Sequence, residues 1–317
     1  MEGSNFRILF AATPAIGIPT LRALVDNFEV VGVLSNPDKP TGRGRSIEAP
    51  PIKEEALKLN LKVIQAEKLT KDVREEVASL KPNLLISFAC GHYFGPRFLA
   101  LFPSGALNIH PSLLPKYRGS SPIQFALLEG AKQTGVTIQR IAKEIDSGNI
   151  LASQVIELDG TETTASLSEK IANLVPSLLI ETLKKLSKGE IEETVQCSDE
   201  ATFSRLLTKE DGVIEWDEEG AKIECKIRAF TPWPRASTTF NGIPLAIIET
   251  AGFKQDPSYA DIAVGTVNRF VKGKGLEVVC KDGVIYLSRL HLAQKKEMDS
   301  AAFINGNPQI IGSILGK

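Results

Sequence analysis

Histidine and cysteine are scarce in this chain, with three and four residues among 317. The cysteines, Cys90, Cys197, Cys225 and Cys280, lie far apart and form no CxxC pair. Neither a zinc site nor a disulfide framework is therefore indicated, and no metal is expected. Reduced thiols in a cytoplasmic protein are the simplest expectation. No apolar run is long enough to cross a bilayer. The first residues lack the charged-then-apolar pattern of a signal peptide and read instead as the approach to a strand. Net charge is −1, so no global excess of cations announces nucleic acid. Internal repeats and low-complexity tracts are absent as well. What remains is an ordinary globular composition, 43% hydrophobic and 24% charged, enough for a sizeable core. The length suggests two domains.

Strand and helix patterns alternate through the first half. Short apolar runs at 7–12, 29–35, 62–64, 84–89 and 106–109 predict strands, as do 134–140 and 149–157. Helical spacing predicts helices over 16–27, 51–59, 70–80 and 121–129, with Thr70 as a cap. Serial βα units favour an α/β fold built on a doubly wound, mostly parallel sheet. Residues 164–188 read as one long helix that Pro176 kinks or splits. The polar stretch after Gly189 reads as a linker. We expect a first domain over 1–189, a linker over 190–207 and a second domain over 208–317. In that last part a helix over 219–229 precedes short β segments separated by Asn241-Gly242, Lys272-Gly273 and Asp282-Gly283. The pattern suggests a small β-barrel of oligonucleotide-binding type.

The richest chemistry lies in Asn108-Ile109-His110-Pro111, with Asp146 following 36 residues after His110. Asn108 and His110 sit two apart, so an extended backbone points both to one face. Pro111 and Pro115 end the strand and stiffen its exit. In open α/β sheets, ligands bind beyond the carboxyl ends of strands. An amide can donate to a carbonyl oxygen that turns negative, and an imidazole can carry a proton. Asp146, in an Asp-Ser-Gly turn, would set that proton balance and order a water. These are the parts for moving an acyl group onto an amine. Arg118 either clamps an anion or holds its turn. Lys39, Arg43 and Arg45 punctuate a Pro/Gly-rich loop that either meets phosphate or is simply solvated. From Arg269 to Lys296, Arg269, Lys272, Lys274, Lys281, Arg289, Lys295 and Lys296 outnumber Glu277 and Asp282. Those cations either line one face for a phosphate backbone or scatter over a solvated surface. Trp233, framed by two prolines, is expected in packing, and His291 in a structural role. His92 follows a strand end and is placed near the same cleft.

Asn108-Ile109-His110-Pro111-Ser112-Leu113-Leu114-Pro115, then Tyr117-Arg118-Gly119, Gly135-Val136-Thr137 and Asp146-Ser147-Gly148, together resemble the signature of folate-dependent formyltransferases. The loop Asn36-Pro37-Asp38-Lys39-Pro40-x-Gly42-Arg43-Gly44 is similar to one found in the branch of that family that acts on initiator tRNA. So are the segments 206–212 and 228–234. The resemblance runs from about Arg7 to Pro234 and more loosely beyond. It implies a Rossmann-like domain, a C-terminal barrel that contacts tRNA, 10-formyltetrahydrofolate as donor, and the α-amine of methionyl initiator tRNA as acceptor. It implies Asn108, His110 and Asp146 as catalytic; on that assignment we expect protonated His110 to help stabilise the oxyanion and to pass a proton to the leaving nitrogen. It places the folate against Phe88, Ala89, Cys90 and Gly91, against Ser112, Leu113, Leu114 and Pro115, and near Glu144. It assigns Lys39, Arg43 and Arg45 to tRNA, and a monomer is expected. Ala12, Cys90 and Glu144 depart from the family pattern near the donor. Transfer to another amine, such as an amino sugar, and binding without catalysis are the rival readings.

Overall fold

Strands buried on both faces form the centre of the first unit, and their sequences are accordingly near-continuous apolar runs. In the computed structural model, which describes residues 6–41 and 46–317, β1 (Arg7–Ala12), β2 (Glu29–Ser35), β3 (Val63–Gln65), β4 (Leu84–Phe88) and β5 (Ala106–His110) run parallel. β6 (Gln133–Arg140) and β7 (Ile150–Glu157) add antiparallel to the β5 edge, giving the order β7-β6-β5-β4-β1-β2-β3. Every residue of β4 is buried. The parallel order reverses between β1 and β4, so the carboxyl ends of these strands flank a topological switch point, the usual place for a ligand. Local chemistry starts the helices where expected. Thr70 Oγ1 accepts from Val73 N and caps Lys71–Ser79, and Pro51 opens Pro51–Lys58. The sheet is the mixed, Rossmann-like one expected of the chain's first half.

Residues 164–188 form the one long helix expected, and Pro176 inside it does not split it. The described residues of Met1–Pro122, Gln133–Glu157 and Ser168–Ser204 make one compact unit, and Ile123–Lys132, Leu158–Leu167 and Arg205–Lys317 make the other. The stretch up to Ser204, read above as linker, is thus packed within the first unit. Phe203–Ser204 pairs in parallel with Arg118–Gly119.

The second unit is an antiparallel sheet. Its strands are β8 (Ala236–Phe240), β9 (Ile243–Gln255), β10 (Val267–Val271), β11 (Gly275–Cys280) and β12 (Gly283–Leu292), in the order β8-β9-β12-β11-β10. Asn241 and Gly242 both take positive φ, the tight hairpin turn that their types favour. The edge strands β8 and β10 are not paired with each other among the described residues. Ile223 and Ile227 of helix Gly220–Phe230 join the core of this sheet with Trp216, Leu245, Val278 and Leu287. A helix at Ser300–Gly306, capped by Asp299 and anchored by buried Phe303, completes it.

Candidate active site

β5 ends by presenting Asn108 and His110 on one face, as their spacing requires. Asn108 lies opposite Gln139 of β6, and His110 opposite Thr137. The loop after β6 then folds back and brings Asp146 to them. Asp146 Oδ1 accepts from Asn108 Nδ2 at 3.1 Å and from Gln139 Nε2 at 2.8 Å. Asp146 Oδ2 accepts from the Gly119 amide at 2.9 Å and lies 3.5 Å from His110 Nδ1. Two side chains of one strand end and a third from 36 residues further on therefore converge at the lip of the sheet.

The backbone is bent to achieve this. Asp146 and Tyr117 both adopt positive φ, a region that costs non-glycine residues roughly 1–2 kcal/mol each. The Tyr117 turn aims its carbonyl at His110, and the Asp146 turn aims the carboxylate back over β5. Two glycines are obligatory here. A Cβ on Gly148 would overlap the Arg140 carbonyl, and one on Gly119 would overlap the Ser204 carbonyl.

His110 is 3% exposed. Burial holds its pKa below the ordinary imidazole value, against the opposite pull of Asp146 and of the Tyr117 carbonyl. Its Nε2–H donates to Tyr117 O at 2.9 Å. A neutral ring then keeps its lone pair on Nδ1, facing Asp146. Burial thus favours the neutral ring at rest, and Asp146 is placed to stabilise the imidazolium once it forms.

The neighbouring strand end is held by a second network. Asn36 Nδ2 donates to Cys90 O at 3.2 Å, and Thr13 Oγ1 to the same carbonyl at 3.5 Å. His92 Nε2–H donates to Ala66 O at 2.9 Å, which leaves Nδ1 to accept from the Cys90 thiol at 3.2 Å. Burial pushes that thiol up to about 12, so it is not a nucleophile. Phe88 is buried, whereas Ala89 and Gly91 are exposed on the lip. A cavity of about 610 Å³ opens beside Gly91, His92 and Tyr93, and Lys68, Arg74 and Arg97 border it.

The loop after β5 is fixed from inside. Ser112 is fully buried and its hydroxyl donates to Lys116 O. Thr137 Oγ1 donates to Ser112 O and accepts from Leu114 N. Leu113 and Pro115 are partly exposed, and Glu144 is exposed. Arg118 is buried, with Nε and Nη2 donating to Gln196 Oε1 at 3.0 and 2.7 Å. Those bonds hold the turn, the second of its two readings. Lys39 is exposed on a hairpin of Lys39–Thr41 with Ser46–Glu48. Arg43 and Arg45 lie outside the described residues.

Residues 12–183 match the formyl transferase family, and residues 206–308 match the formyl transferase C-terminal domain. The chain belongs to the formyl transferase family. Similar relatives include the methionyl-tRNA formyltransferase of Borrelia turicatae, 39% identical over 308 residues (97% of this chain, 99% of the relative). That of Treponema pallidum is 38% identical over 319 residues (98% and 99%). Among solved structures, the fold is shared with HypX from Aquifex aeolicus in complex with tetrahydrofolic acid, at a TM-score of 0.61 and 17% identity. The match covers 96% of this chain and 48% of that one. It is also shared with an N-formyltransferase from Helicobacter canadensis, at a TM-score of 0.64 and 20% identity, over 92% and 100% of the two chains.

Within this formyl transferase the second unit uses several of its cations internally. Arg269 bonds to Glu277 at 3.1 Å, Lys274 lies 4.6 Å from the Tyr286 ring centroid, and Arg289 is 3.9 Å from Glu297. His291 is structural: its Nε2–H donates to Lys295 O, and its Nδ1 accepts from Arg235. Trp233 is 49% exposed, so of the two packing roles expected for it, in a core or between domains, the first fails. Gln139 and Gln196 went unnoticed in the sequence. No spacing rule marks them, since they reach Asp146 through strand register and a long return of the chain. No helix among the described residues is long and apolar enough to cross a membrane. No group of three or more His, Cys, Asp or Glu among them is arranged to hold a metal ion.

Proposed function

We propose that this chain transfers the formyl group of 10-formyltetrahydrofolate to the α-amino group of methionyl initiator tRNA, for translation initiation. The observation that carries the reading is the convergence of Asn108, His110 and Asp146 beyond β5, with Asp146 Oδ2 3.5 Å from His110 Nδ1. The similarity to relatives named methionyl-tRNA formyltransferase, over nearly the whole of both chains, supports the acceptor. Residues 1–189 carry the transfer chemistry together with the stretch to Ser204 packed on them, and 208–317 contact the tRNA.

The methionyl amine attacks the formyl carbon, and a C–N bond forms. The carbonyl oxygen becomes an oxyanion that takes an N–H of Asn108. The Asn108 amide has two such hydrogens, and Asp146 uses one. His110 Nδ1 receives the proton released by the amine, and Asp146 stabilises the imidazolium. The bond from the formyl carbon to N10 then breaks as that proton passes to N10. The products are the formylated amine and tetrahydrofolate, and His110 returns to neutral. An oxyanion donor contributes roughly 10²–10³ in rate and a general base about 10²–10⁴.

The donor lies against Phe88, Ala89, Cys90 and Gly91, with Ser112, Leu113, Leu114 and Pro115 shaping the opposite wall and Glu144 at the rim. Lys68, Arg74 and Arg97 around the adjoining cavity suit the carboxylates of the donor's glutamyl end. Lys39, Arg43 and Arg45 meet tRNA phosphates. The enzyme works as a cytoplasmic monomer. Transfer of labelled formyl from the folate donor, offered methionyl initiator tRNA and small amines in parallel, tests the reading. Turnover with the charged tRNA alone is expected. Preference for an amino sugar would assign the other acceptor, and binding of both ligands without turnover would remove the enzyme reading.

A further inference from the structure

Gln196 lies in the polar stretch after the long helix, yet it is only 8% exposed. Its Nε2 donates to Gly148 O at 2.7 Å, to Asp146 O at 2.9 Å and to Gln139 Oε1 at 3.3 Å. Its Oε1 receives both Arg118 bonds described above. The amide can take only one orientation, because a flip would set nitrogen against the guanidinium and oxygen against three acceptors. Gln139 is fixed in the same way: its Oε1 accepts from Gln196 and its Nε2 donates to Asp146 Oδ1 at 2.8 Å. A directed chain of donors thus runs from Arg118 through Gln196 and Gln139 to the Asp146 carboxylate.

The rest of this stretch ties down the other half of the site. Thr202 Oγ1 accepts from Tyr117 N at 2.8 Å, and the Thr202 carbonyl accepts from Arg118 N at 2.9 Å. Ser204 Oγ accepts from Ser121 N at 3.1 Å. Tyr117 is the residue whose carbonyl fixes the His110 tautomer. One strap therefore sets both members of the His110–Asp146 pair. It reaches the carboxylate with buried side chains and the imidazole through the backbone of the Tyr117 turn.

We propose that Gln196 is a positioning residue for formyl transfer, acting through Gln139 and the backbone of Asp146 and Gly148 to hold the carboxylate against His110. This rests on the assignment of Asp146 and His110 as the acting pair. Gln196 does not touch the substrate. Its loss lets the Asp146 turn swing, and misplacement of a reacting group by about 1 Å is worth roughly 10²-fold in rate. A carboxylate that swings away also withdraws the charge that raises the imidazole pKa, so that pKa falls further.

The test measures kcat, KM for each substrate and the pH dependence of kcat/KM for Gln196→Ala, Gln196→Glu, Gln139→Leu and the Gln139→Leu/Gln196→Ala double variant. Gln196→Glu keeps the size and the Arg118 contact but loses every donated bond. It carries the test if Gln196→Ala folds poorly, as judged by Tm. We expect kcat to fall about 10- to 100-fold with both KM values within about twofold. We expect the acid limb to move down in pH, because the carboxylate that raises the His110 pKa is drawn away, and the double variant to be no slower than the slower single one, because the two residues act in series. An unmoved acid limb, multiplicative losses in the double variant, or unchanged kcat in a folded Gln196→Glu protein would each overturn the proposal. Asp146→Asn in the same assay separates the two levels. If it is inactive while the glutamine variants are normal, only the positioning role fails. If it is active, the assignment of the pair fails.

Discussion

Asp146 of the first unit and Glu277 of the second are both largely withdrawn from solvent, and they are held by opposite means. Glu277, fully buried on β11, bonds to the guanidinium of Arg269 as well as to Asn268 Nδ2 and the Tyr259 hydroxyl. Burial alone pushes its carboxyl up, but those three partners together bring it below the usual range. Among the described residues, the N–H donors to the Asp146 carboxylate are Asn108, Gln139 and the Gly119 backbone, all of them neutral. Among the same residues no cation is paired with it until His110 takes a proton. A carboxylate matched to an arginine is spent on holding strands together. One kept in place by neutral dipoles retains its field for a charge that appears during reaction.

That contrast can be broken first at the site. Asp146→Asn and His110→Ala are expected to lower kcat by about 10²–10⁴ while tRNA affinity, measured by filter binding, stays within about twofold. Asn108→Ala is expected to lower kcat by roughly 10²–10³. Gly148→Ala comes next: its methyl forces the Arg140 carbonyl away and should reduce kcat by about 10²-fold through displacement of Asp146. Glu277→Ala should behave in the opposite manner. It strands the donors of Asn268 and Tyr259 and destabilises the fold by about 1–3 kcal/mol, read by chemical denaturation, with kcat of the folded enzyme unchanged.

The smallest expected effect is in pH. Folding lowers the His110 pKa beneath its ordinary 6.5, so the unfolded chain binds more protons between the two values. Stability therefore rises with pH through that window, and the penalty is complete below the folded value. His110→Gln should flatten the slope. The acid limb of kcat/KM should likewise fall below pH 6.5, because the neutral ring is the active form.

The parallel strands and their helices were legible because their apolar runs are short, uninterrupted and bounded by turn residues or caps such as Thr70. Asn108 and His110 were legible because a two-residue spacing on a strand fixes a common face. Asp146 was legible only as a candidate, since nothing local says that its loop returns to β5. Gln139 and Gln196 were not legible at all. One is selected by antiparallel register against Asn108, and the other by a polar segment whose composition is that of a linker. The environment of His110 was only half legible for the same reason: Asp146 is visible in sequence, but the burial that opposes it is a property of the packed loop.

The most direct test is single-turnover transfer of labelled formyl from 10-formyltetrahydrofolate to methionyl initiator tRNA, by the wild-type enzyme and by Asp146→Asn, with donor and tRNA both saturating. The account requires rapid transfer by the first and a loss of about 10²-fold or more by the second, with both substrates still bound. Equal transfer by the two proteins would contradict it.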